Sequence, residues 1–332
     1  MEQKELTHRY EKMIYRRCGK SGLVLPAISL GLWCNFGAND DYETAKEIIW
    51  EAFRNGIIHF DLANNYGPPP GEAEITFGRV LKEGLMAYRD ELIISTKAGY
   101  KMWDGPYGDY GSRKYLFASL DQSLKRLGIP YVDIFYHHRP DDSTPLEETM
   151  LALRDIVLSG KALYVGLSNY PSSTLEKACK MLRELHVPFV IDQSPYSMLD
   201  RHLEDDHRKE VIEKLGIGLI GYSPLAQGRL SEKYIHGIPE NSRAKKDYIC
   251  FLSEKDIHPA LVETLIGLKK VAEKRGQTIS QLALSYALHY CTSIVIGASS
   301  VAQLKENLQS LDHLSFSDDE LQEIDHILKK GK

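Results

Sequence analysis

The sequence contains few cysteines, and none of them belongs to a recognised pair. The five are dispersed along the 332 residues without a CxxC motif: Cys18, Cys34, Cys179, Cys250 and Cys291. An odd and scattered set argues against a disulfide framework and against a zinc site, and it is typical of reduced thiols in a cytoplasmic protein. We therefore expect a cytoplasmic protein without a metal site.

Long apolar runs and an excess of basic residues are also absent. No stretch approaches the roughly 18 apolar residues of a membrane helix, and the segment MEQKELTHRYEKMIYRRCG lacks the apolar core of a signal peptide. The formal net charge is -5, whereas nucleic-acid-binding proteins usually carry a clustered basic excess. We expect neither a membrane nor a nucleic acid as a partner.

Eight short β-rich runs alternate with longer helical patterns. The predicted strands are 25–31, 57–63, 91–98, 131–138, 162–169, 189–196, 218–225 and 293–299. Between them, apolar residues recur at helical spacing, and a glycine closes segments such as ETAKEIIWEAFRNG. Strands that alternate with helices pair in parallel through right-handed crossovers, and a count of eight favours a closed barrel. We predict one barrel domain over residues 1–332.

Three segments fall outside this alternation. Residues 13–24 contain a Gly-Lys-Ser-Gly turn between short runs, which predicts a hairpin. Residues 226–258 form a long polar connection, and loops of that length are usually functional. The tail SFSDDELQEIDHILKK begins with a serine cap and an acidic first turn, which predicts a helix. The predicted fold is α/β: a (β/α)8 TIM barrel with a short N-terminal hairpin, a long loop after strand 7 and a C-terminal helix.

The predicted strands end in polar residues or glycine, and in a parallel barrel these ends meet at one rim. From the second strand to the eighth they are Asp61, Lys97, His138, Ser168 with Asn169, Gln193, Tyr222 with Ser223, and Gly297 with Ser299. Each residue alone has a structural explanation, such as helix capping for Asp61 or a hydrogen-bonded core position for His138. Their joint placement favours an active site at this rim.

The segment GIGLIG at 216–221 matches the dinucleotide-binding pattern GxGxxG. That pattern requires glycines that follow a strand and open a helix, with an acidic residue about 20 positions later. Here the glycines precede and enter a predicted strand that ends in YSPL. Termination of a helix at Gly216 explains them better, so the match is accidental.

Three rim residues and one loop tyrosine form a set suited to the reduction of a carbonyl group. Tyr66 follows Asp61 by five residues, and Lys97 ends the next strand. A phenol with an ordinary pKa near 10 is a reluctant acid, and a neighbouring ammonium lowers that pKa. A carboxylate holds such an ammonium in a partly dry site. We predict that Tyr66 protonates the carbonyl oxygen while His138 orients it by a hydrogen bond.

The motifs around these residues resemble those of the aldo-keto reductase family, in the same order. They are FDLANNYG, IISTKAG, DIFYHHRPD, YVGLSN, IDQSPY, GYSPLAQG and VIGASSVAQLKEN, and the likeness covers residues 14 to about 328. The family's catalytic Asp, Tyr, Lys and His fall on Asp61, Tyr66, Lys97 and His138. His138 matches because it directly precedes Arg-Pro-Asp, and strand alternation puts His137 on the opposite face.

The resemblance implies a bound NADP(H). Residues matching Ser168, Asn169 and Gln193 hold the carboxamide of the nicotinamide, and an aromatic residue matching Tyr222 stacks on its ring. The other implied cofactor contacts are Leu32, Trp33, Asn39, Asp61, Ser223, Pro224, Leu225, Gln227, Asn241 and Gly297, with Gln303, Glu306 and Asn307 at the adenine end.

The resemblance also bears on the choice between NADPH and NADH. Many members bind the 2′-phosphate with a lysine and an arginine around the last strand, where this chain has Gly297 and Gln303. Lys233 and Arg243 in LSEKYIHGIPENSRA match the cofactor contacts of one branch, and a phosphate favours charge-assisted hydrogen bonds. We expect Arg243, Lys233 and Ser299 to select NADPH. The alternative is that both cations are solvated loop residues.

That branch comprises the voltage-gated potassium channel β subunits and bacterial L-glyceraldehyde 3-phosphate reductases. The segment AGYKMWDGPYGDYGSRKYL at 98–116 resembles the reductases, and His138 stands where the channel subunits carry asparagine. The implied substrates are small aldehydes, with L-glyceraldehyde 3-phosphate and methylglyoxal as candidates. The expected substrate contacts are Trp33, Tyr66, Trp103 and Arg139, with Arg113 as the alternative cation for a phosphate.

Two other functions stay open on the sequence alone. One is an NADPH-binding regulatory or accessory subunit with little turnover, against which the complete set of four catalytic residues argues. The other is a metal-dependent barrel hydrolase or isomerase, since there are twelve histidines, but no HxH ends a strand. A homo-oligomer is compatible with the sequence.

Overall fold

Eight parallel strands close into a barrel in the computed structural model, which describes residues 6, 8–240, 242–245 and 252–330. An antiparallel hairpin, β1 (Tyr15–Arg17) and β2 (Val24–Pro26), precedes the barrel. The barrel strands are β3 (Ile28–Gly31), β4 (His59–Asp61), β5 (Ile93–Ala98), β6 (Val132–His137), β7 (Ala162–Ser168), β8 (Phe189–Pro195), β9 (Gly218–Tyr222) and β10 (Ser293–Ile296). They pair in chain order, and β10 closes the ring on β3. The predicted barrel is confirmed.

Helices fill the connections between the strands. They are α1 (Tyr42–Arg54), α2 (Glu72–Lys82), α3 (Arg113–Leu127), α4 (Leu146–Leu158), α5 (Ser172–Glu184), α6 (His202–Asp205), α7 (Arg208–Leu215), α8 (Pro259–Lys274), α9 (Ile279–Tyr290), α10 (Val301–Leu308) and α11 (Asp318–Lys330). Side-chain caps set several starts: Asp41 accepts from the backbone N–H of Thr44, and Thr278 forms a capping box with Gln281. The apolar faces of these helices pack against the outside of the strands.

The hairpin seals the N-terminal end of the barrel. Cys18, Leu23 and Leu25 pack against residues that point into the barrel, among them Ile134 and Ile220. The backbone N–H of Lys20 donates to the carbonyl of Gly216, just ahead of β9. Because this end is closed, ligands have access to the opposite, C-terminal end of the strands. The predicted hairpin is confirmed, although its second strand runs two residues beyond the predicted segment.

Several strands are shorter than predicted. The seventh barrel strand ends at Tyr222 because Ser223 takes a left-handed backbone conformation, with φ of 54°, so residues 223–225 belong to the following loop. In β4 the ladder ends at Asp61, but the N–H of Leu62 still donates to the Ser95 carbonyl. The side chains at these strand ends therefore lie at the open rim of the barrel, where the loops begin.

The long connection after β9 contains short 3-10 turns, at Ala226–Gly228, Glu232–Tyr234, Arg243–Lys245 and Glu254–Asp256. The predicted C-terminal helix is present as α11, where Ser317 and Glu320 form reciprocal capping hydrogen bonds. Within the described residues, no helix combines the length and apolar character needed to cross a membrane. The cytoplasmic location stays a prediction.

Candidate active site

The centre of the site is a buried ion pair between the ends of β4 and β5. Lys97 Nζ lies 2.6 Å from Asp61 Oδ2, and both side chains are inaccessible to solvent or nearly so. The amino group also donates to the carbonyl oxygen of Leu62 at 2.8 Å. Ser95 Oγ and Gln193 Nε2 donate to the other carboxylate oxygen, at 2.7 and 3.1 Å. The carboxylate is thereby held by three neighbours and fixes the position of the ammonium.

Tyr66 reaches the same ammonium from the loop between β4 and α2. Its hydroxyl lies 3.4 Å from Lys97 Nζ. The backbone is held by a tight turn, in which the carbonyl of Tyr66 accepts from the N–H groups of Gly71 and Ala73. Gly67 follows with φ of 77°, a left-handed conformation that glycine adopts without strain. This turn brings the phenol over the ion pair.

His138 completes the group. It follows β6, and its backbone N–H donates to the carbonyl of Ala98 at the end of β5. Its ring packs edge-on against Tyr66 and Tyr100, with centroid distances of 5.9 and 4.6 Å. His137 points away and bonds the hydroxyl of Tyr170 through Nδ1 at 2.6 Å. The structure thus brings together the four residues predicted to be catalytic, and the two histidines lie on opposite faces.

The pKa directions correct one expectation from the sequence. Lys97 was expected to lower the pKa of Tyr66, but burial of the phenol and the negative charge of Asp61 raise that pKa well above its ordinary value. Burial also lowers the pKa of Lys97, and Asp61 opposes that shift. Burial, with Lys97 nearby, holds the pKa of His138 well below its ordinary value. The phenol is therefore protonated and the imidazole neutral at neutral pH.

The residues expected at the nicotinamide carboxamide form one hydrogen-bonded group. It lies beside the tetrad of Asp61, Tyr66, Lys97 and His138. Asn169 has φ of 60° and donates through Nδ2 to the carbonyl of His138 and to Ser168 Oγ. Its Oδ1 accepts from the hydroxyl of Tyr222 at 2.8 Å. Gln193 faces the same space and bonds Asp61. Amide groups and a tyrosine ring thus converge next to Tyr66 and Lys97, as the resemblance implied.

The loop after β9 carries the two expected phosphate-binding cations. Arg243 Nη1 lies 2.9 Å from Gln227 Oε1, and Gln227 in turn donates to Ser223 Oγ. The side chain of Lys233 is exposed, yet partial burial of its amino group and the charge of Arg243 lower its pKa. No carboxylate among the described residues forms an ion pair with either cation. Asn241, also expected to contact the cofactor, lies outside the described residues, while Pro224 and Leu225 lie within this loop.

The segment after β10 supplies the expected adenine end. Ser299 donates through its N–H and its hydroxyl to Gln303 Oε1, at 2.8 and 2.9 Å. Asn307 is buried, and its Nδ2 has no hydrogen-bond partner among the described residues. Glu306 is exposed on α10, and a Cβ added to Gly297 would meet open space. These groups leave donors and room for a ligand.

Two expected contacts lie after β3. Leu32 is fully buried, and Trp33 is partly exposed with its carbonyl accepting from the N–H of Gly67 beside Tyr66. Asn39 is exposed two residues before the cap of α1. Trp33 is therefore close to the phenol, and Asn39 lies farther along the same loop.

The segment proposed to contact the substrate lies over His138. Trp103 packs on Tyr115 with ring centroids 5.3 Å apart. Arg139 donates to the Gly99 carbonyl, forms a 2.9 Å ion pair with Asp109 and lies between the rings of Tyr100 and Tyr110. The alternative cation, Arg113, pairs with Asp155 of α4. Both candidate phosphate cations are thus already paired with carboxylates, which sequence reasoning did not anticipate.

Sequence reasoning also missed the residues beneath the tetrad. Ser95 and His59 precede Lys97 and Asp61 by two positions on their strands, so all four side chains point into the barrel. Polar residues at such i and i+2 positions are the signal that would have found them. The described residues contain no cluster of three or more His, Cys, Asp or Glu side chains arranged to hold a metal ion.

Comparisons with known proteins match this geometry. The profile described as "Aldo/keto reductase family" matches residues 27–329. L-glyceraldehyde 3-phosphate reductases of Escherichia coli O157:H7 and of Escherichia coli (strain K12) are each 52% identical to the chain over 328 residues, which is 98% of this chain and 95% of each relative. The crystal structure of a thermostable aldo-keto reductase, Tm1743, with the inhibitor epalrestat aligns with a TM-score of 0.75 and 30% identity, over 95% of this chain and 100% of that chain. Sequence and fold agree over nearly the whole chain.

Proposed function

This chain belongs to the aldo/keto reductase family, and we propose that it reduces small polar aldehydes to alcohols with NADPH, with Tyr66 as the proton donor. The observation that carries the proposal is the position of Lys97, whose amino group lies 2.6 Å from Asp61 Oδ2 and 3.4 Å from the Tyr66 hydroxyl. A hydroxyl, an ammonium and a carboxylate in that order can release a proton and stabilise the anion that remains.

Each member of the tetrad has a separate role in this proposal. The raised pKa keeps Tyr66 protonated at neutral pH, so the proton is in place when a carbonyl binds. Lys97 stabilises the phenolate that forms, and Asp61 holds Lys97 in position. A nicotinamide held beside Asn169 and Gln193 would supply the hydride for the carbonyl carbon.

His138 polarises and orients the carbonyl group. Its lowered pKa makes the ring neutral, so it has one N–H to donate. Its ring stands edge-on to Tyr66 at a centroid distance of 5.9 Å, so the imidazole and the phenol are neighbours. The carbonyl oxygen then receives a hydrogen bond from each side, and its orientation toward the proton donor follows.

The rim residues fit a phosphorylated dinucleotide. Asn169 and Gln193 present amide groups beside the tetrad, where a carboxamide would pair with them. Arg243 and Lys233 are neighbouring cations without a carboxylate partner among the described residues, which suits the 2′-phosphate that distinguishes NADPH from NADH. Asn307 offers a buried amide N–H group that the described residues leave unbonded. We propose that one barrel domain holds cofactor and substrate together.

The proposed substrate class is a three-carbon aldehyde, either L-glyceraldehyde 3-phosphate or methylglyoxal. Two relatives with 52% identity carry the name L-glyceraldehyde 3-phosphate reductase. Tyr100 packs edge-on against His138, and the carbonyl of Trp33 accepts from the N–H of Gly67 next to Tyr66, so aromatic residues adjoin the site. If Arg139 binds a substrate phosphate, the phosphate must either displace Asp109 from the guanidinium or share the guanidinium with it. The unphosphorylated candidate makes no such demand.

The test is NADPH oxidation by a panel of carbonyl compounds. We expect three-carbon aldehydes to give much higher kcat/KM values than bulky aromatic or steroid ketones. A protein that binds NADPH tightly but oxidises it with none of the aldehydes would be an accessory subunit instead. Better turnover of the bulky ketones would overturn the substrate class and leave the reductase activity in place.

A further inference from the structure

A chain of buried hydrogen bonds leads from Asp61 into the barrel. Ser95 Oγ lies 2.7 Å from Asp61 Oδ1, and His59 Nε2 lies 2.9 Å from Ser95 Oγ. On the other side of the ring, His59 Nδ1 lies 2.8 Å from Ser29 Oγ, which lies 2.8 Å from Ser293 Oγ. The side chains belong to four neighbouring strands, β10, β3, β4 and β5, and none of the five residues is more than 1% exposed.

The carboxylate of Asp61 fixes which group donates in each hydrogen bond of this series. Asp61 can only accept, so the one proton of the Ser95 hydroxyl is directed to it. Ser95 must then accept from His59, which requires the proton on Nε2. Burial lowers the pKa of His59 to about 4, so its ring is neutral and Nδ1 accepts from Ser29. Ser293 completes the sequence by donating to Ser29.

The opposite tautomer would disconnect the carboxylate. With the proton on Nδ1, the bare Nε2 of His59 would compete with Asp61 for the proton of Ser95. The carbonyl of Phe60, 3.5 Å from Ser95 Oγ, is the remaining alternative acceptor. A protonated Nε2 excludes the first of these arrangements and fills the acceptor side of Ser95. The state of His59 therefore controls where the Ser95 hydroxyl points.

The surroundings indicate that this series of hydrogen bonds does more than fill space in the core. Apolar side chains line the barrel interior near its closed end, among them Ile93, Ile134 and Val295. Apolar side chains of similar volume would fill this space without a polar group to satisfy. Every ring nitrogen and hydroxyl of the chain is nevertheless bonded, and the chain ends on the carboxylate that holds Lys97.

We propose that His59 is a positioning residue for the reduction: through Ser95 it orients Asp61, and Asp61 in turn holds Lys97 against Tyr66. This role rests on the proposed function of Tyr66 and extends it one layer deeper into the barrel. Neither His59 nor Ser95 touches the substrate space, so both act only through the carboxylate.

The expected electrostatic effect has a definite sign. The Ser95 hydroxyl presents its positive end to Asp61, and its loss makes the potential at Tyr66 more negative. The phenol then becomes a weaker acid with a higher pKa. The other charged or titratable groups facing Tyr66 are Lys97, His138, Tyr100, Tyr222 and Cys34. None of them is altered by a change at Ser95 or His59.

The experiment compares His59→Leu, Ser95→Ala and the double variant with His59→Gln. Leucine removes both ring nitrogens, whereas the glutamine amide can donate to Ser95 and accept from Ser29. We expect His59→Leu and Ser95→Ala each to lower kcat on the order of 10-fold, the loss of one hydrogen bond to a charged group. The fall of kcat on the alkaline side should move to higher pH. Affinity for NADPH should not change.

Three results identify a positioning role rather than a structural one. The double variant should be no slower than Ser95→Ala, because His59 acts through Ser95. His59→Gln should restore most of kcat and the original pH profile. Ser285→Ala removes another fully buried serine, which bonds Gln277 and Ser310, and should lower thermal stability without changing kcat. If His59→Leu does not fold, Ser95→Ala and His59→Gln decide the matter by the same criteria.

Unchanged kcat and pH profile in Ser95→Ala and His59→Leu would overturn the proposal, as would independent, multiplying losses in the double variant. Tyr66→Phe separates this failure from failure of the proposed function. If Tyr66→Phe loses turnover while the His59 variants do not, only the positioning role is wrong. If Tyr66→Phe retains turnover, the proposed proton donor is wrong, and the positioning role falls with it.

Discussion

Lys97, near the end of β5, and Lys233, in the loop after β9, both lie toward the open end of the barrel, but their surroundings are opposite. Lys97 is fully buried and lies 2.6 Å from a carboxylate that two other groups also hold. Lys233 is exposed, and its charged neighbour is another cation, Arg243. A cation neutralised inside the protein acts on its neighbours at a fixed place, whereas an uncompensated one is available to an incoming anion. The first arrangement suits chemistry and the second suits ligand selection.

The largest expected effect is the loss of the proton donor in the buried region. Tyr66→Phe removes the hydroxyl and leaves Lys97 and Asp61 in place. We expect kcat to fall by about 10² or more, since general acid catalysis contributes about that factor. The dissociation constant for NADPH, measured by fluorescence titration, should change little. Near-normal turnover would show that the buried group does not deliver the proton.

The ion pair should behave as one unit. Lys97→Met should reduce kcat strongly, and Asp61→Asn less so, because the asparagine still fills the space and its carbonyl oxygen can accept from Lys97. The losses in the double variant should be well below the product of the single ones, since both act on Tyr66. Steady-state rates of the three variants test this. Multiplying losses would mean that Lys97 and Asp61 act separately.

The loop cations Arg243 and Lys233 should affect NADPH binding rather than the chemical step. Arg243→Ala should weaken NADPH binding by about 10- to 150-fold, the loss of a charge-assisted hydrogen bond worth roughly 1.5–3 kcal/mol. NADH binding should be nearly unaffected, and saturating kcat with NADPH should be kept. Because this region is open to solvent, added salt should also weaken NADPH binding more in the wild type than in Arg243→Ala. Lys245→Ala, a loop cation paired with Glu240, is the matched control. Equal weakening of NADPH and NADH would remove Arg243 from cofactor selection.

The smallest expected effect is on the pH dependence of stability, and it comes from His59 in the buried region. Burial lowers the pKa of His59 to about 4 from about 6.5, so the unfolded chain binds a proton there before the folded one does. This contribution to stability is complete above pH 6.5 and is lost as the pH falls toward 4, by at most about 1.4 kcal/mol per pH unit. His59→Gln lacks it. Urea unfolding should therefore show a difference between wild type and His59→Gln that changes between pH 7 and 4. A pH-independent difference would contradict the lowered pKa.

Local pattern predicted the barrel because it was repeated eight times, and each repeat carried its own strand and helix signal. The ends of elements were less predictable. Ser223 belongs to a strand by composition, but its left-handed backbone ends the strand at Tyr222. Arg139 was a reasonable cation for a substrate phosphate, yet Asp109 from a loop 30 residues away neutralises it. Neither result is visible in the spacing of residues, because each depends on where distant segments meet.

The sequence by itself predicted the fold class and the rim where polar strand ends meet, from strand alternation and strand order. Together with the resemblance to the aldo-keto reductases, it also predicted the four residues that gather there. Only the tertiary structure decided how these residues affect each other. It showed that burial and Asp61 raise the pKa of Tyr66, and that Gln193 bonds the Asp61 carboxylate from another strand. It also joined Ser95 and His59 to that carboxylate. The physical reason is that electrostatic and hydrogen-bond energies depend on distance and burial, which the order of residues alone does not specify.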